Sequence, residues 1–570
     1  MLLALTLTSF VSFASQDLDH DRATLHARAE KPHEPVSVWS GIGSGNRLFR
    51  MVGGDNAECV RSIPDINADG REEIVVGIGE SGTDNLFCLD GASMLAASVL
   101  WSLETTGGVS GGSCYGDQAI VPVSDTESSG DTNLLIGTAW GGRTAYNLDS
   151  LAGGEVLRYD TYLDVDSGWI YSLCEIGDLT SDGVPEYAFG SGSDSNAVYL
   201  IDGAGPGPQA TILWKYPAGD AVYSVRNLGD VNADGSDDIL AAVGDDIDRI
   251  VCLEGDSVSP TGSVLWTYNP GTSVFACGVL PDVTSDGVDD ALAVLWTSAG
   301  SAIRCLDGTD GTLVWSSTSV GSFGMQAHVL EDVTNDGLDE VIVSSWENAV
   351  TVLSGSDGSL VWKTTVGTTN GGDVWTSRAV DDLNGDGRQD VIAGSFDYHV
   401  YALDGDTGEV FWAFNTLNRV FSVAPVGDLN GDGRPEVVAG TQDTQTSIVV
   451  HVLEGDADIE PTIAFLGDGT LGNSYSIEIT GPVGAAAFPF LGAGTTNTLV
   501  PGIVGLLGVT PPLTFLPSGA IPAAGPYVQS GTLPTNPALA GMSRFIQGVV
   551  FTFPPITGEF TANIEMVTLQ

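Results

Sequence analysis

Basic residues are scarce in this chain: 19 lysines and arginines stand against 74 aspartates and glutamates, giving a formal net charge of −55 over 570 residues. A surface of that sign repels nucleic acid and anionic lipid, which excludes both as natural partners. Helix-favouring lysine is thin while glycine reaches 75 residues, so turns and short strands are expected rather than long helices. No run of about eighteen apolar residues is present, which excludes a membrane-spanning helix. The seven cysteines (Cys59, Cys88, Cys114, Cys174, Cys252, Cys277 and Cys305) contain no C-x-x-C pair, which removes zinc ribbons and thioredoxin-like chemistry. Their odd number leaves at least one thiol unpaired within the chain. Catalytic signatures are missing too: no H-E-x-x-H, no Walker loop, and no dinucleotide fingerprint between a strand and a helix.

What the chain does have begins at its N-terminus. The stretch MLLALTLTSFVSFASQ, an apolar run followed by small residues, resembles the later part of a secretory signal peptide. Residues 1–15 are therefore expected to be a signal peptide and 16–35 a flexible segment. The protein is expected to be secreted or held at a bacterial cell surface. Cys88, Cys252 and Cys305 recur at one place in a repeated strand, just before Leu-Asp or Leu-Glu, and read as small buried hydrophobes.

The repeat is the strongest feature. The segments DINADGREE, DLTSDGVPE, DVNADGSDD, DVTSDGVDD, DVTNDGLDE, DLNGDGRQD and DLNGDGRPE begin at Asp65, Asp178, Asp230, Asp282, Asp332, Asp382 and Asp428, and a degenerate copy, DTESSGDTN, begins at Asp125. Each follows an apolar strand and precedes a short aliphatic strand, a strand ending in Leu-Asp-Gly or a variant, and a strand carrying tryptophan. Four short strands per unit, repeated eight times, predict an all-β, eight-bladed β-propeller over residues 36–457. The last unit lacks its tryptophan strand, and PVSVWS around Trp39 is expected to supply it and close the ring. Tryptophan then occupies the fourth strand at Trp39, Trp101, Trp214, Trp266, Trp315, Trp362 and Trp412, with Leu157-Arg158-Tyr159 in the remaining unit. These rings are expected to pack between neighbouring sheets.

The acidic loops resemble FG-GAP or VCBS-type repeats, the kind found in integrin α-subunit propellers. The segment VYALDGDTGEVFWAF (Val400 to Phe414) resembles the repeat of quinoprotein dehydrogenases, the PQQ-like repeat, and of the outer-membrane assembly lipoprotein. Both families are propellers, and they imply different functions. The quinoprotein family commonly places adjacent cysteines beneath its cofactor. This chain has none, so quinone binding is not carried over.

The loop spacing suits a hard cation. Calcium takes six to eight oxygens, and a tight loop offers side chains at positions 1, 3, 5 and 9 and a carbonyl at position 7, with glycine at position 6 for the bend. The candidate ligands are Asp65, Asn67, Asp69, Arg71 and Glu73 in the first loop, and Asp178, Thr180, Asp182, Val184 and Glu186 in the next intact one. Asp230, Asn232, Asp234, Ser236 and Asp238 follow, then Asp282, Thr284, Asp286, Val288 and Asp290. The last three sets are Asp332, Thr334, Asp336, Leu338 and Glu340; Asp382, Asn384, Asp386, Arg388 and Asp390; and Asp428, Asn430, Asp432, Arg434 and Glu436. Arg71, Val184, Ser236, Val288, Leu338, Arg388 and Arg434 would each contribute the carbonyl. Threonine is a poorer third ligand than asparagine. The copy at Asp125, with Glu127 but Ser129 at position 5, is expected to be weak or empty. About seven structural Ca²⁺ ions are thus expected, and no catalytic residues.

Four residues before the loops stand Arg61, Arg226, His328 and Arg378, which would form a basic ring in a channel lined by first strands, able to hold an anionic group or simply pairing with nearby aspartates. Seven residues before the loops stand Tyr171, Tyr223, Phe275, Met325, Trp375 and Phe421, read as inter-blade core. After Asp458 the acidic loops stop, tryptophan and cysteine vanish, and alternating stretches such as NSYSIEITG predict a small β-sandwich-like domain over 458–570 that resembles C-terminal domains of exported bacterial surface proteins. The composite expectation is a non-enzymatic, calcium-binding extracellular binding, adhesion or scaffold protein with a protein or glycan partner. The alternative is a quinone-dependent oxidoreductase or polysaccharide-active enzyme using the channel.

Overall fold

The computed structural model describes residues 47–570 except for short stretches, the longest being 110–118, 367–371, 456–462, 480–485 and 521–525, and single positions such as Asp432. Among the described residues there is no α-helix. Eight four-stranded antiparallel sheets follow one another along the chain, each a meander in sequence order except the last. The first sheet runs Ala57–Ile63, Glu73–Ile78, Leu86–Leu89 and Val99–Leu103, and the seventh runs Val374–Val380, Asp390–Ser395, His399–Leu403 and Val410–Asn415. The eighth takes Val420–Val426, Glu436–Thr441 and Ile448–Leu453, and its fourth place is filled by Arg47–Val52 from the other end of the described chain.

The second strands are the driest: EVVAGT, DVIAGS and DALAVL are buried at every position. Continuous β-branched and small residues suit a strand covered on both faces. First strands of consecutive sheets pack side by side, and that of the eighth sheet packs on that of the first. Apolar clusters fill each junction: one joins Val60, Ile74 and Val76 to Val438, Val450 and Val452, and another joins Trp362 and Val352 to Val391 and Leu403.

The tryptophans fix the junctions in a repeated way. The Trp362 indole Nε1 donates to the Gly405 carbonyl of the next sheet at 2.7 Å, and Trp214, Trp266, Trp315 and Trp412 donate likewise to Gly255, Gly308, Gly355 and Gly455. Trp101 donates to the Ser150 carbonyl at 2.8 Å. Each glycine of the Leu-Asp-Gly turn is held tight: a Cβ on Gly405 would lie 2.0 Å from the Gln389 carbonyl oxygen. Three residues on, Gly408 has φ +70° and lies under the Trp362 ring, where a Cβ would come within 2.5 Å of Cε3. Cys88, Cys252 and Cys305 are fully buried and sit directly across the sheet from Trp101, Trp266 and Trp315, packing as small apolar groups.

One expectation needs correction. Trp39 lies outside the described residues, and the strand in the last sheet's fourth place is Arg47–Val52. Phe49, 1% exposed, sits opposite Val452, as Trp412 sits opposite Ala402 in the preceding sheet. A buried phenyl ring fills the tryptophan's place without its N–H. Leu157 does the same in the second sheet, opposite Asn147.

Beyond residue 462 the grammar differs. A three-stranded sheet (Ile463–Leu466, Ser474–Ile479, Tyr527–Thr532) shares one apolar cluster with a larger sheet built on Ala486–Gly492 and Ser543–Thr552.

If indole docking holds adjacent sheets, Trp362→Phe leaves the Gly405 carbonyl unpaired and should lower unfolding free energy by about 2 kcal/mol. Gly408→Ala should cost more, because a Cβ meets both a left-handed backbone and the ring. Urea denaturation followed by tryptophan fluorescence measures both, and a wild-type midpoint for Gly408→Ala would refute the docking constraint.

Candidate metal centres

Each acidic segment links the first and second strands of its sheet, so all lie along one edge of the array. Their shared conformation follows from the repeated residue types. Position 6 is glycine with φ between +87° and +97° in all eight copies, from Gly387 to Gly235. Position 4 is also left-handed in the seven intact copies, including Ala68 at 61° and Ser285 at 64°. The position 1 carboxylate accepts the position 6 N–H: Gly70 to Asp65 at 2.7 Å, Gly183 to Asp178 at 2.9 Å and Gly387 to Asp382 at 2.8 Å. The position 5 carboxylate accepts the position 7 N–H, as from Arg71 to Asp69 at 3.0 Å and Val184 to Asp182 at 2.9 Å. Asn67, Asn232 and Asn384 at position 3 accept from the position 5 N–H at 2.8–2.9 Å. The degenerate copy keeps the bend, with Gly130 N–H donating to Asp125 at 2.8 Å, while Glu127 and Ser129 lie outside the described residues.

Position 9 is where the copies part company. This residue opens the dry second strand and is buried in every copy: Glu73, Glu186, Asp238, Asp290, Glu340 and Glu436 are 0% exposed and Asp390 is 1% exposed. One carboxylate oxygen always accepts the position 2 N–H, for example Ile66 to Glu73 at 2.8 Å and Leu383 to Asp390 at 2.8 Å. The other oxygen has two fates. In Asp238, Asp290 and Asp390 it accepts the N–H of the turn glycine, Gly255, Gly308 or Gly405, at 3.0–3.1 Å. In Glu73, Glu186 and Glu340 it is buried with no hydrogen-bond donor. The extra methylene carries the glutamate carboxylate past the turn and into the loop. There Asp65, Asp69 and Glu73 bring ligand atoms within 4.8 Å of one another, as do Asp178, Asp182 and Glu186, and Asp332, Asp336 and Glu340. Asp234 instead groups with Glu254 and Asp256 from the neighbouring turn. Asp432 lies outside the described residues, so the set at Asp428 is incomplete here.

An anionic oxygen buried without a donor is expensive. A divalent cation bound by three carboxylates, a position 3 side chain and a carbonyl would relieve it, and an all-oxygen set fits calcium or magnesium better than a soft metal. Without a cation the protein turns to protons. Burial pushes Glu73 up to about 7, against the opposing Ile66 N–H bond and with help from Asp65 and Asp69. It pushes Asp390 to about 7 and Asp238 and Asp290 to about 6, and raises Glu186 and Glu340.

The channel candidates Arg61, Arg226, His328 and Arg378 are half-buried on the first strands of the first, fourth, sixth and seventh sheets. Arg61 donates to the Val60 carbonyl, and Arg226 to the Val225 carbonyl and Ser224 hydroxyl, so part of their donor capacity serves their own strands. Tyr171, Tyr223, Phe275, Met325, Trp375 and Phe421 fall into a single buried cluster that spans six sheets, joined by Phe396 and flanked by Trp169, Trp296 and Trp346. These side chains stand at the starts of first strands, so the aromatic collar lies on the edge opposite the acidic loops. The flanking tryptophans escaped the sequence reading. For Trp296 and Trp346 the signal is an aromatic immediately after an all-buried second strand, as in VLW and SSW, whereas Trp169 stands at the start of the third sheet's first strand.

Residues 340–454 match the family model of the lambda-carrageenase β-propeller domain. Among solved structures, Sqt1 of Saccharomyces cerevisiae aligns with 72% of this chain and 98% of its own at 12% identity, with a TM-score of 0.51. The chain carries a β-propeller. Weaker likenesses are to the computationally designed Ika8 protein (13% identity, 72% of this chain, 100% of that one, TM-score 0.48) and to BamB from Moraxella catarrhalis (15%, 72%, 97%, 0.44). No curated protein matches the sequence.

The carboxylate shifts set a pH dependence for the metal-free protein. These acids hold protons that the unfolded chain has already released, so the stability they contribute is complete below about pH 4 and is lost as pH climbs through 6 to 7. In EDTA the melting temperature should fall between pH 5 and 7.5. A flat or rising profile in that window would mean the position 9 carboxylates are ionised without a cation.

Proposed function

We propose that this is an exported, eight-bladed β-propeller, closed by the strand Arg47–Val52, whose acidic loops hold calcium and whose ring serves as an extracellular binding or surface-scaffold platform. Residues 1–15 are the signal peptide, 36–457 the propeller and 458–570 a β-sandwich-like accessory domain. The observation that carries the calcium reading is the buried, donor-less oxygen of Glu73, Glu186 and Glu340, each within reach of two further carboxylates. Calcium is preferred to magnesium because the loops offer many oxygens without octahedral regularity. The cation also moderates self-repulsion: seven divalent ions would offset roughly a quarter of the net charge.

Loops closed by glutamate, at Asp65, Asp178, Asp332 and Asp428, should bind more tightly than those closed by aspartate at Asp230, Asp282 and Asp382. In the latter the position 9 carboxylate already serves two backbone N–H groups. A platform reading suits a propeller whose loops crowd one edge and whose cores are given to packing.

A second reading is favoured by one observation, the match of residues 340–454 to a carrageenase propeller domain. On it, the propeller belongs to a polysaccharide-active protein. A glycan array that includes carrageenan, run with and without chelator, separates the two: binding lost on chelation without release of new reducing ends supports the platform, and depolymerisation supports the enzyme.

Elemental analysis and equilibrium dialysis test the metal reading directly. Glu73→Gln should remove one tightly bound Ca²⁺. Asp290→Asn should leave the tight-ion count intact and lower stability by about 1–2 kcal/mol through a lost backbone hydrogen bond. If exhaustive chelation leaves the melting temperature at pH 7.5 unmoved and no Ca²⁺ is found, the calcium reading fails.

A further inference from the structure

The junction between the eighth and first sheets differs from the others. Six junctions carry an indole-to-carbonyl bond, but Phe49 and Leu157 cannot donate one. After the second sheet the backbone compensates twice, through Arg158 N–H to Pro208 at 2.6 Å and Ala210 N–H to Arg158 at 2.7 Å. Behind Phe49 the corresponding backbone link is Ala97 N–H to the Arg50 carbonyl at 2.7 Å. The further connection on the acidic edge comes from the loops themselves. Arg71 Nε donates to the Leu429 carbonyl at 2.5 Å, and Gly427 N–H donates to Glu72 at 2.9 Å. Arg388 and Arg434, at the same loop position, reach the equivalent carbonyls of Val333 and Leu383 in the sheets before them, but there the indoles of Trp362 and Trp412 are also in place.

The clasp is wired into the candidate metal loop. Arg71 N–H is held by Asp69 at 3.0 Å, and its carbonyl is the position 7 oxygen. Asp65, Asp69 and Glu73 converge within 4.8 Å, and Glu73 Oε1 is buried without a donor. A cation among them fixes the loop that carries Arg71 and Glu72. In its absence Asp65 and Asp69 stay crowded together and the buried Glu73 oxygen loses the group that satisfied it, which loosens that loop. The chain crosses this junction once, from Arg47–Val52 through residues 53–56 into Ala57–Ile63, and the ends of the array meet one strand away, where Arg47–Val52 pairs with Ile448–Leu453 by hydrogen bonds alone.

We propose that cation binding in the Asp65 loop latches the ring between its eighth and first sheets through Arg71 and Glu72, so that loss of the cation opens the ring there first. This rests on the calcium reading above. The test is hydrogen exchange by mass spectrometry on the full chain, in calcium and after chelation, with bound metal measured in parallel. Chelation should speed exchange on the order of 10-fold in peptides from 47–63 and 420–453, ahead of those from 222–254 in the fourth sheet. The Arg71→Met/Glu72→Gln double variant, which keeps the position 7 carbonyl, should show the same opening with calcium present. Arg388→Met should not, because Trp362 still holds that junction. If calcium is bound and removed yet exchange rises evenly, or first elsewhere, the latch is wrong and the metal reading stands. If the untreated protein holds no calcium, both fall. Should the double variant fail to fold, the chelation arm on the unaltered chain decides alone.

Discussion

A carboxylate buried at the start of the second strand in seven of the eight sheets is the constraint around which the acidic edge is organised. It must be buried, because the strand it opens is covered on both faces, and it must be satisfied, because a charge without donors in that environment is not tolerated. The position 2 N–H gives one bond in every intact copy. What satisfies the second oxygen then sets the chemistry of the loop. An aspartate is short enough to be used up by the glycine of the adjoining turn. A glutamate projects beyond it and groups with the loop's aspartates, an arrangement that could take a cation. In the degenerate copy Asn133 stands there, fully buried; its Nδ2 donates to Thr126 and Asn147 while its Oδ1 is left without a donor, an orphan that costs less because the amide carries no charge.

Tryptophan and glycine perform the complementary task between sheets. In seven of the eight sheets the turn residue is glycine, because the acidic loop's own backbone lies against it; Ser150 takes the place in the second sheet, whose loop is the degenerate one, and wherever the preceding sheet carries a docked indole, the indole bonds the turn residue's carbonyl. One residue pair thereby connects the loop edge, the third strand and the neighbouring sheet. This explains why Leu-Asp-Gly and tryptophan recur together, and why a repeat lacking tryptophan needs another bond at its junction.

Much of this was legible in the chain. The recurrence of Asp-x-Asn/Thr-x-Asp-Gly is a backbone instruction, since glycine at position 6 and a carboxylate at position 1 specify the bend whatever binds there. Four strands per unit followed from the spacing of aliphatic and tryptophan runs. The closing strand was misplaced at Trp39 because identity was sought where size and burial decide: Phe49 fills the space without matching the motif. The division of the loops was invisible because Asp and Glu look interchangeable as ligands. Only the position of the turn glycine relative to the strand makes one methylene matter. Arg61, Arg226, His328 and Arg378 do fall on first strands, but sequence could not show that Arg61 and Arg226 spend donors on their own strands.

The two edges of the propeller are chemically opposed, and that bears on where a partner would sit. One edge carries the carboxylates, densely hydrogen-bonded and suited to cations. The other carries a collar of aromatic rings in mutual contact, such as Trp296 and Trp346 at 4.7 Å and Trp375 and Phe396 at 4.7 Å. Most of the collar is buried, so its first duty is to pack neighbouring sheets together at that edge. Cation chemistry on the first edge can still influence the second, because each sheet spans both. A loop that loosens frees the start of its second strand, and that strand ends beside the collar. Rigidity of the whole propeller therefore depends on how the carboxylates at the opposite edge are neutralised.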